Sequence, residues 1–123
     1  MIKMPVKRFS FPKSRRLTEA WQFEQVRKEG RVHRGALLML AALTGAEVDG
    51  LRAGFVTSRR IGAATVRNQV RRRLREIVRT HQHEIVDAAW VVTVARPSAA
   101  RARYDELEDE WLRLAKRAFI LAP

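Results

Sequence analysis

The sequence predicts a single α+β domain, an α–β sandwich in which helices lie on one sheet. Three observations lead there. At 123 residues the chain fits one domain, and no internal repeat divides it. Hydrophobic residues make up 46% of the chain, enough for one core and too many for a disordered tail. The apolar pattern also changes period along the chain in the order helix, strands, helix, strand, helix.

Residues 1–16 carry Lys3, Lys7, Arg8, Lys13, Arg15 and Arg16 with Pro5 and Pro12, and read as an extended basic arm that stays mobile until a partner is bound. Residues 17–121 form the domain. Thr18 is the expected N-cap of a helix over Glu19 to Glu29, with Lys28 late and Gly30 as the stop. Phe23 and Val26 share its buried face, joined by Ala20. Arg31 to Leu43 reads as a strand, almost wholly apolar from Leu37 onward. Thr44 to Gly50 is a surface turn, and Leu51 to Thr57 is the returning strand. A second helix runs from about Ala64 into the region between His81 and Val86. Trp90 to Ala95 is a buried strand ended by Arg96 and Pro97, and a last helix covers Tyr104 to Phe119.

Charge narrows the function. Lys and Arg total 25 against 13 acids, a formal net charge of +12. Self-repulsion of that size opposes compaction and calls for a polyanion, most simply nucleic acid, where each neutralised phosphate releases counterions. The excess is mostly arginine, whose fork suits phosphates and stacks on bases. There is no cysteine, which excludes disulfides and thiolate metal sites and fits a reducing compartment. No apolar run approaches the roughly 20 residues of a membrane helix, and Pro5, Lys7, Arg8 and Lys13 interrupt any signal-peptide core. A cytoplasmic protein with no membrane partner is the simplest reading.

The most informative segment is Ser58-Arg59-Arg60-Ile61-Gly62 followed by Arg67 to Glu76. At about 100° per residue, Val66, Val70, Leu74, Ile77 and Val78 fall in one arc roughly 120° wide. Arg67, Arg71, Arg75, Asn68, Arg79 and Arg72 occupy the adjoining arc, about 140° wide, with no acid inside it. A solvated helix intersperses signs to gain i,i+4 pairs, whereas Arg67-Arg71-Arg75 stacks like charges. That arrangement suits a phosphate backbone, and Asn68 can read a base edge or a ribose hydroxyl. Gly62 permits a tight turn, and backbone N–H groups at the helix start beside Arg59 and Arg60 could hold an anion.

Protein-borne chemistry has little to stand on. His81 and His83 point about 200° apart on a helix, which suits a solvated surface better than metal ligation. Asp105, Glu106, Glu108, Asp109 and Glu110 crowd the start of the last helix and read as a solvated face favoured by the helix dipole. Trp21, Trp90 and Trp111 read as core or interface filling. No catalytic residue and no metal ligand is assigned.

The run Gly54 to Gly62, then Ala64, Arg67-Asn68, Arg71-Arg72 and Arg75-Glu76, resembles the signature of the bacterial ribonuclease P protein family. Arg16-Leu17 leading to Phe23, Val26 and Gly30 is similar to that family's first helix, and Trp90 to Pro97 with Tyr104 to its last strand and helix. The resemblance implies the fold of the second domain of ribosomal protein S5, with a left-handed βαβ crossover, against the usual hand. It implies partnership with a catalytic RNA that removes the 5′ leader of precursor tRNA endonucleolytically, so the holoenzyme is the enzyme and the protein an auxiliary subunit without an obligate protein partner. Magnesium ions would be held by RNA and substrate, not by the protein. Arg59, Arg60, Arg67, Asn68, Arg71, Arg72 and Arg75 would face RNA, while Phe23, Arg27 and Phe55 would belong to a leader cleft between the sheet and the first helix. Arg27 stands where the family has a second aromatic, and no tyrosine is found near Met39. The alternatives are a structural rRNA-binding ribosomal protein and a helix module reading duplex DNA, and the spacing from Ser58 to Glu76 favours the first reading.

Overall fold

Three helices and four strands form in the computed structural model, which describes residues 13–45, 48–86 and 88–121. Helix α1 (Ala20–Glu29) starts one residue later than the sequence suggests. Glu19, not Thr18, is the N-cap, and the Gln22 side-chain oxygen accepts the backbone N–H groups of Thr18 and Glu19 at 2.9 Å each. Two donors ahead of the helix are thereby satisfied by a residue inside it. Ala20 is exposed and does not join Phe23 and Val26 on the inner face. At the helix end Gly30 turns to extended backbone in a place with no room for a side chain: a Cβ there would sit 2.5 Å from the Val26 carbonyl oxygen and 2.7 Å from that of Ala42.

The stretch read as one strand from Arg31 to Leu43 is a hairpin. β1 (Arg31–Arg34) and β2 (Leu38–Leu43) pair antiparallel, with Arg34 opposite Met39 and the Gly35 N–H donating to the Leu38 carbonyl at 2.8 Å. A residue distant in sequence holds the bend. The Glu110 carboxylate accepts the N–H groups of Leu37 and Leu38 at 2.7 and 2.6 Å, so these donors stay paired where the strand turns.

β3 (Leu51–Thr57) does not return along β2. β4 (Ala89–Ala95) lies between them, giving the order β1-β2-β4-β3. β2 and β4 are antiparallel, while β3 and β4 are parallel, with Gly54 beside Val92 and Phe55 beside Thr93. A parallel pair requires a crossover, and α2 (Ala64–His81) supplies it. A 3-10 turn over Gln82–Glu84 follows, and α3 (Tyr104–Arg117) stops two residues short of Phe119.

Strand alternation divides the side chains between two cores. Leu38, Leu40, Ala53 and Val91 face α2 and α3, where Leu74, Ile77, Leu107 and Trp111 are fully buried. Each such side chain contributes about 1.5–3 kcal/mol by leaving water. Ala41, Leu43, Trp90 and Val92 face α1 and close a smaller core with Leu17 and Val26. Helix α1 is short, so part of this second face stays open.

Residues 1–12 of the basic arm lie outside the described residues, as do Ala46 and Glu47 of the loop after β2. Lys13–Arg15 form a 3-10 turn, Arg15 donates to Gln82 Oε1 at 2.5 Å, and Leu17 N–H bonds the Ala53 carbonyl at 2.9 Å. The end of the arm is thus laid along the β3 edge. Among the described residues no helix is long and apolar enough to cross a membrane.

Candidate nucleic-acid interface

β3 enters the basic segment through a 3-10 turn at Arg59–Ile61. Ile61 is buried and pins the turn, Gly62 takes φ +147°, and Arg59 and Arg60 are left exposed. The turn keeps two of its own donors: Ile61 and Gly62 N–H bond the carbonyls of Ser58 and Arg59, both at 3.1 Å. α2 itself starts at Ala64 behind Ala63, which offers no side-chain cap, so the N–H groups of its first turn stay available to an anion along with the two guanidinium groups.

On α2 the apolar stripe is as the helical period requires. Val70, Leu74, Ile77 and Val78 are buried and Val66 is half-buried. The adjoining cationic arc is narrower than the sequence suggests. Arg79 pairs with Glu76, and Arg73, on the far edge, donates to the Ala102 carbonyl at 3.0 Å. Arg67, Asn68, Arg71, Arg72 and Arg75 remain. Among the described residues no carboxylate pairs with these four arginines or with Arg59 and Arg60. Arg71 is held in place by donating to Asn68 Oδ1 at 2.8 Å and to Thr57 Oγ1.

Arg75 has the most demanding environment. Its Nε is buried with no hydrogen-bond partner. Burial, then the like charges of Arg16, Arg71 and Arg72, holds its pKa below the ordinary arginine value. Arg16, Arg71 and Arg75 line a pocket of about 130 Å³ at the β3 edge, together with the rings of Phe23 and Phe55. Guanidinium groups gathered this way gain from an anion that settles among them. In the sequence Arg16 is one cation among six in the arm, with nothing to distinguish it as a site residue; only the pairing of that segment with β3 brings it to Arg75.

The second feature is a groove of about 620 Å³ between α1 and the open part of the sheet. Phe23 and Arg27 line it from α1; Val32, Arg34, Met39, Val56 and Val94 form its floor. Phe23 borders both the groove and the arginine-lined pocket. Phe55 does not join Phe23 and Arg27 in the groove. It lies on the α2 face of β3 and reaches only the edge pocket, because neighbours along a strand point to opposite faces. Arg27 pairs with Glu24 at 2.6 Å, an exposed contact of little strength that a phosphate can replace. Arg34 is a groove cation that the alternation Val32-His33-Arg34 could have flagged once β1 was recognised.

Two sequence readings away from this surface need correction, and a third, core or interface filling by the tryptophans, holds as core for two of them. His81 does more than face solvent: its Nδ1 and Nε2 lie 2.7 Å from Glu84 Oε2 and Glu108 Oε2, tying the end of α2 to α3. The acidic run is not wholly solvated, since Glu108 serves His81 and Glu110 is buried at the β1–β2 bend. Trp90 and Trp111 are buried, donating to Asp49 and Thr93 at 3.0 Å each, but Trp21 is 58% exposed and only leans edge-on against Trp90.

Comparison with known proteins gives a family and a fold. The family model described as Ribonuclease P matches residues 11–119. The ribonuclease P protein component of Chloroflexus aggregans is 36% identical over 110 residues, covering 89% of this chain and 81% of that protein. The same component of Acidothermus cellulolyticus is 37% identical over 107 residues, 86% of this chain and 89% of that one. The RNase P protein of Thermotoga maritima superposes with a TM-score of 0.74 at 27% identity over 83% of this chain and 96% of its own. That of Staphylococcus aureus superposes at 0.81 over 89% of this chain and 99% of its own, a likeness of fold at 23% identity.

Proposed function

This chain belongs to the ribonuclease P protein family, and from that premise we propose that it is the auxiliary protein subunit of an RNA-based tRNA-processing enzyme. The α2 face carrying Arg67, Asn68, Arg71, Arg72 and Arg75, with Arg59 and Arg60 beside it, docks on the catalytic RNA. The groove lined by Phe23 and Arg27 takes the single-stranded 5′ leader of precursor tRNA. The observation that carries this reading is the set of arginines on one side of a helix with no carboxylate partner among the described residues, because a polyanion can bind them without breaking an internal ion pair.

The chemical step is assigned to the RNA. Hydrolysis by a protein needs converging carboxylates, histidines or metal ligands. Among the described residues no three His, Asp or Glu side chains converge on one point. Magnesium belongs, in this reading, to RNA and substrate. The protein contributes charge neutralisation and substrate positioning. Stacking of a leader base on Phe23 favours single strands without demanding one sequence, and the arginines lower the magnesium needed to bring two polyanions together. The cell compartment that fits is the cytoplasm.

The test is reconstitution. Purified protein added to the catalytic RNA at low magnesium should restore removal of the leader and leave a 5′ phosphate on the tRNA. No stimulation at any magnesium concentration, with tight binding to ribosomal RNA instead, would replace this reading by that of a structural ribosomal protein.

A further inference from the structure

Phe119 breaks two local rules at once. It stands where the chain reverses after α3: Ile120 N–H donates back to the Ala115 carbonyl at 3.2 Å, and Phe119 takes φ +59°. Glycine usually fills such a position, since a Cβ in the left-handed region is strained. Phe119 recovers nothing by burial, for it is 75% exposed while the adjoining Ile120 is fully buried. Among the described residues it is the one non-glycine with positive φ. A residue that is both strained and solvated is not there for stability.

Its surroundings are cationic. The Arg31 guanidinium lies 5.5 Å from the ring centroid, and Lys116 and Arg117 are exposed in the last turn of α3. No described carboxylate pairs with these three cations. An apolar protein partner would have to desolvate them, whereas a polyanion is drawn by them.

The position is connected to the groove. β1 is an edge strand, and its alternation places Val32 and Arg34 in the groove and Arg31 on the opposite face. Arg31, with Phe119 against it, thus stands across the edge strand from the groove residues Val32 and Arg34. We propose that Phe119 and Arg31 form a second stacking site, taking a base of single-stranded RNA that has crossed the groove, with its phosphates beside Lys116 and Arg117. This rests on the leader reading above and extends the path of the leader around the β1 edge. The base stacks on the ring face that the guanidinium leaves open, an arrangement tolerant of sequence.

The test uses protein reconstituted with its catalytic RNA and precursor tRNAs of increasing leader length. Phe119→Gly removes the ring and relieves the left-handed strain, so the variant should fold at least as stably as the parent, checked by thermal melting. The affinity advantage of long over short leaders should fall on the order of fivefold or more, and Phe119→Tyr should restore it. An unchanged long-leader advantage in folded Phe119→Gly overturns the inference and leaves the groove reading standing. An equal loss for every leader length, mature tRNA included, also overturns it, because the ring would then touch another part of the complex. A parent protein with no preference for precursor over mature tRNA overturns the groove reading and this one with it.

Discussion

The Phe23 ring lies directly on the bare backbone of Gly54: a Cβ on that glycine would sit 2.5 Å from Phe23 Cε1 and 2.6 Å from Cζ. Only the absence of a side chain lets the ring reach across β3, between the groove and the pocket lined by Arg16, Arg71 and Arg75. Gly54→Ala should therefore expel the ring, costing about 1–3 kcal/mol and weakening discrimination of precursor from mature tRNA. In a Phe23→Ala background the same change should cost much less. Additive costs in urea unfolding of the double mutant would count against this packing.

Phe23→Ala alone should lower precursor discrimination while subunit assembly largely persists, because the change removes a groove ring and leaves every arginine of the α2 face in place. Binding is read with precursor and mature tRNA against the reconstituted complex. A parallel loss of catalytic-RNA affinity would make the ring a core residue only.

Arg71→Ala with Arg75→Ala should weaken catalytic-RNA binding and flatten its salt dependence. Each phosphate left without its arginine reduces the slope of log K against log salt by about 0.7–0.9, so two lower it by about 1.5. The variant should stay folded, since both changes remove like-charge repulsion around Arg16 and Arg72. Titrations at several salt concentrations decide it, and an unchanged slope would remove this face from the interface.

Glu110→Ala should unfold the protein more easily by about 2–4 kcal/mol, because the N–H groups of Leu37 and Leu38 lose their acceptor in a buried place. Glu110→Gln keeps one acceptor oxygen and should cost less. Chemical denaturation of both variants provides the comparison.

His81 gives the fold a pH dependence. Burial lowers its pKa, but the hydrogen bonds to Glu108 and Glu84 outweigh that and raise it above the ordinary 6.5. Both ring nitrogens face carboxylates, so the imidazolium is the form that fits. A raised folded pKa means the contribution is fully present below about pH 6.5 and fades as pH rises through the folded value. Melting temperatures of the parent and His81→Gln should differ most below about pH 6.5 and converge as pH rises above the folded value. A gap independent of pH would mean His81 packs without titrating.

The candidate site is legible in the sequence only in part, and the division follows range. α2 can be read because its apolar stripe and its arginine arc are both set by one helix's own 3.6-residue period. Arg79 leaves that arc, and Phe55 leaves the groove, for reasons lying outside the pattern that placed them: the Glu76 carboxylate turns toward Arg79, and β3 presents Phe55 to α2 instead of α1. Arg16 enters the site only because its segment pairs with β3.

Legible from the chain alone are the three helices, the cationic side of α2, the charge that demands a polyanion and the family signature, all of which are local patterns or sums over the chain, whereas the bend that splits Arg31–Leu43 into two strands is not. What only tertiary structure decided is that β4 separates β2 from β3, that Phe23 fits over Gly54, that Glu110 and His81 hold distant segments, and that Phe119 stands strained and exposed above Arg31. The reason is physical: a side chain's hydration and partners are made by whatever the fold brings beside it, and for these residues the neighbours come from other elements of the chain.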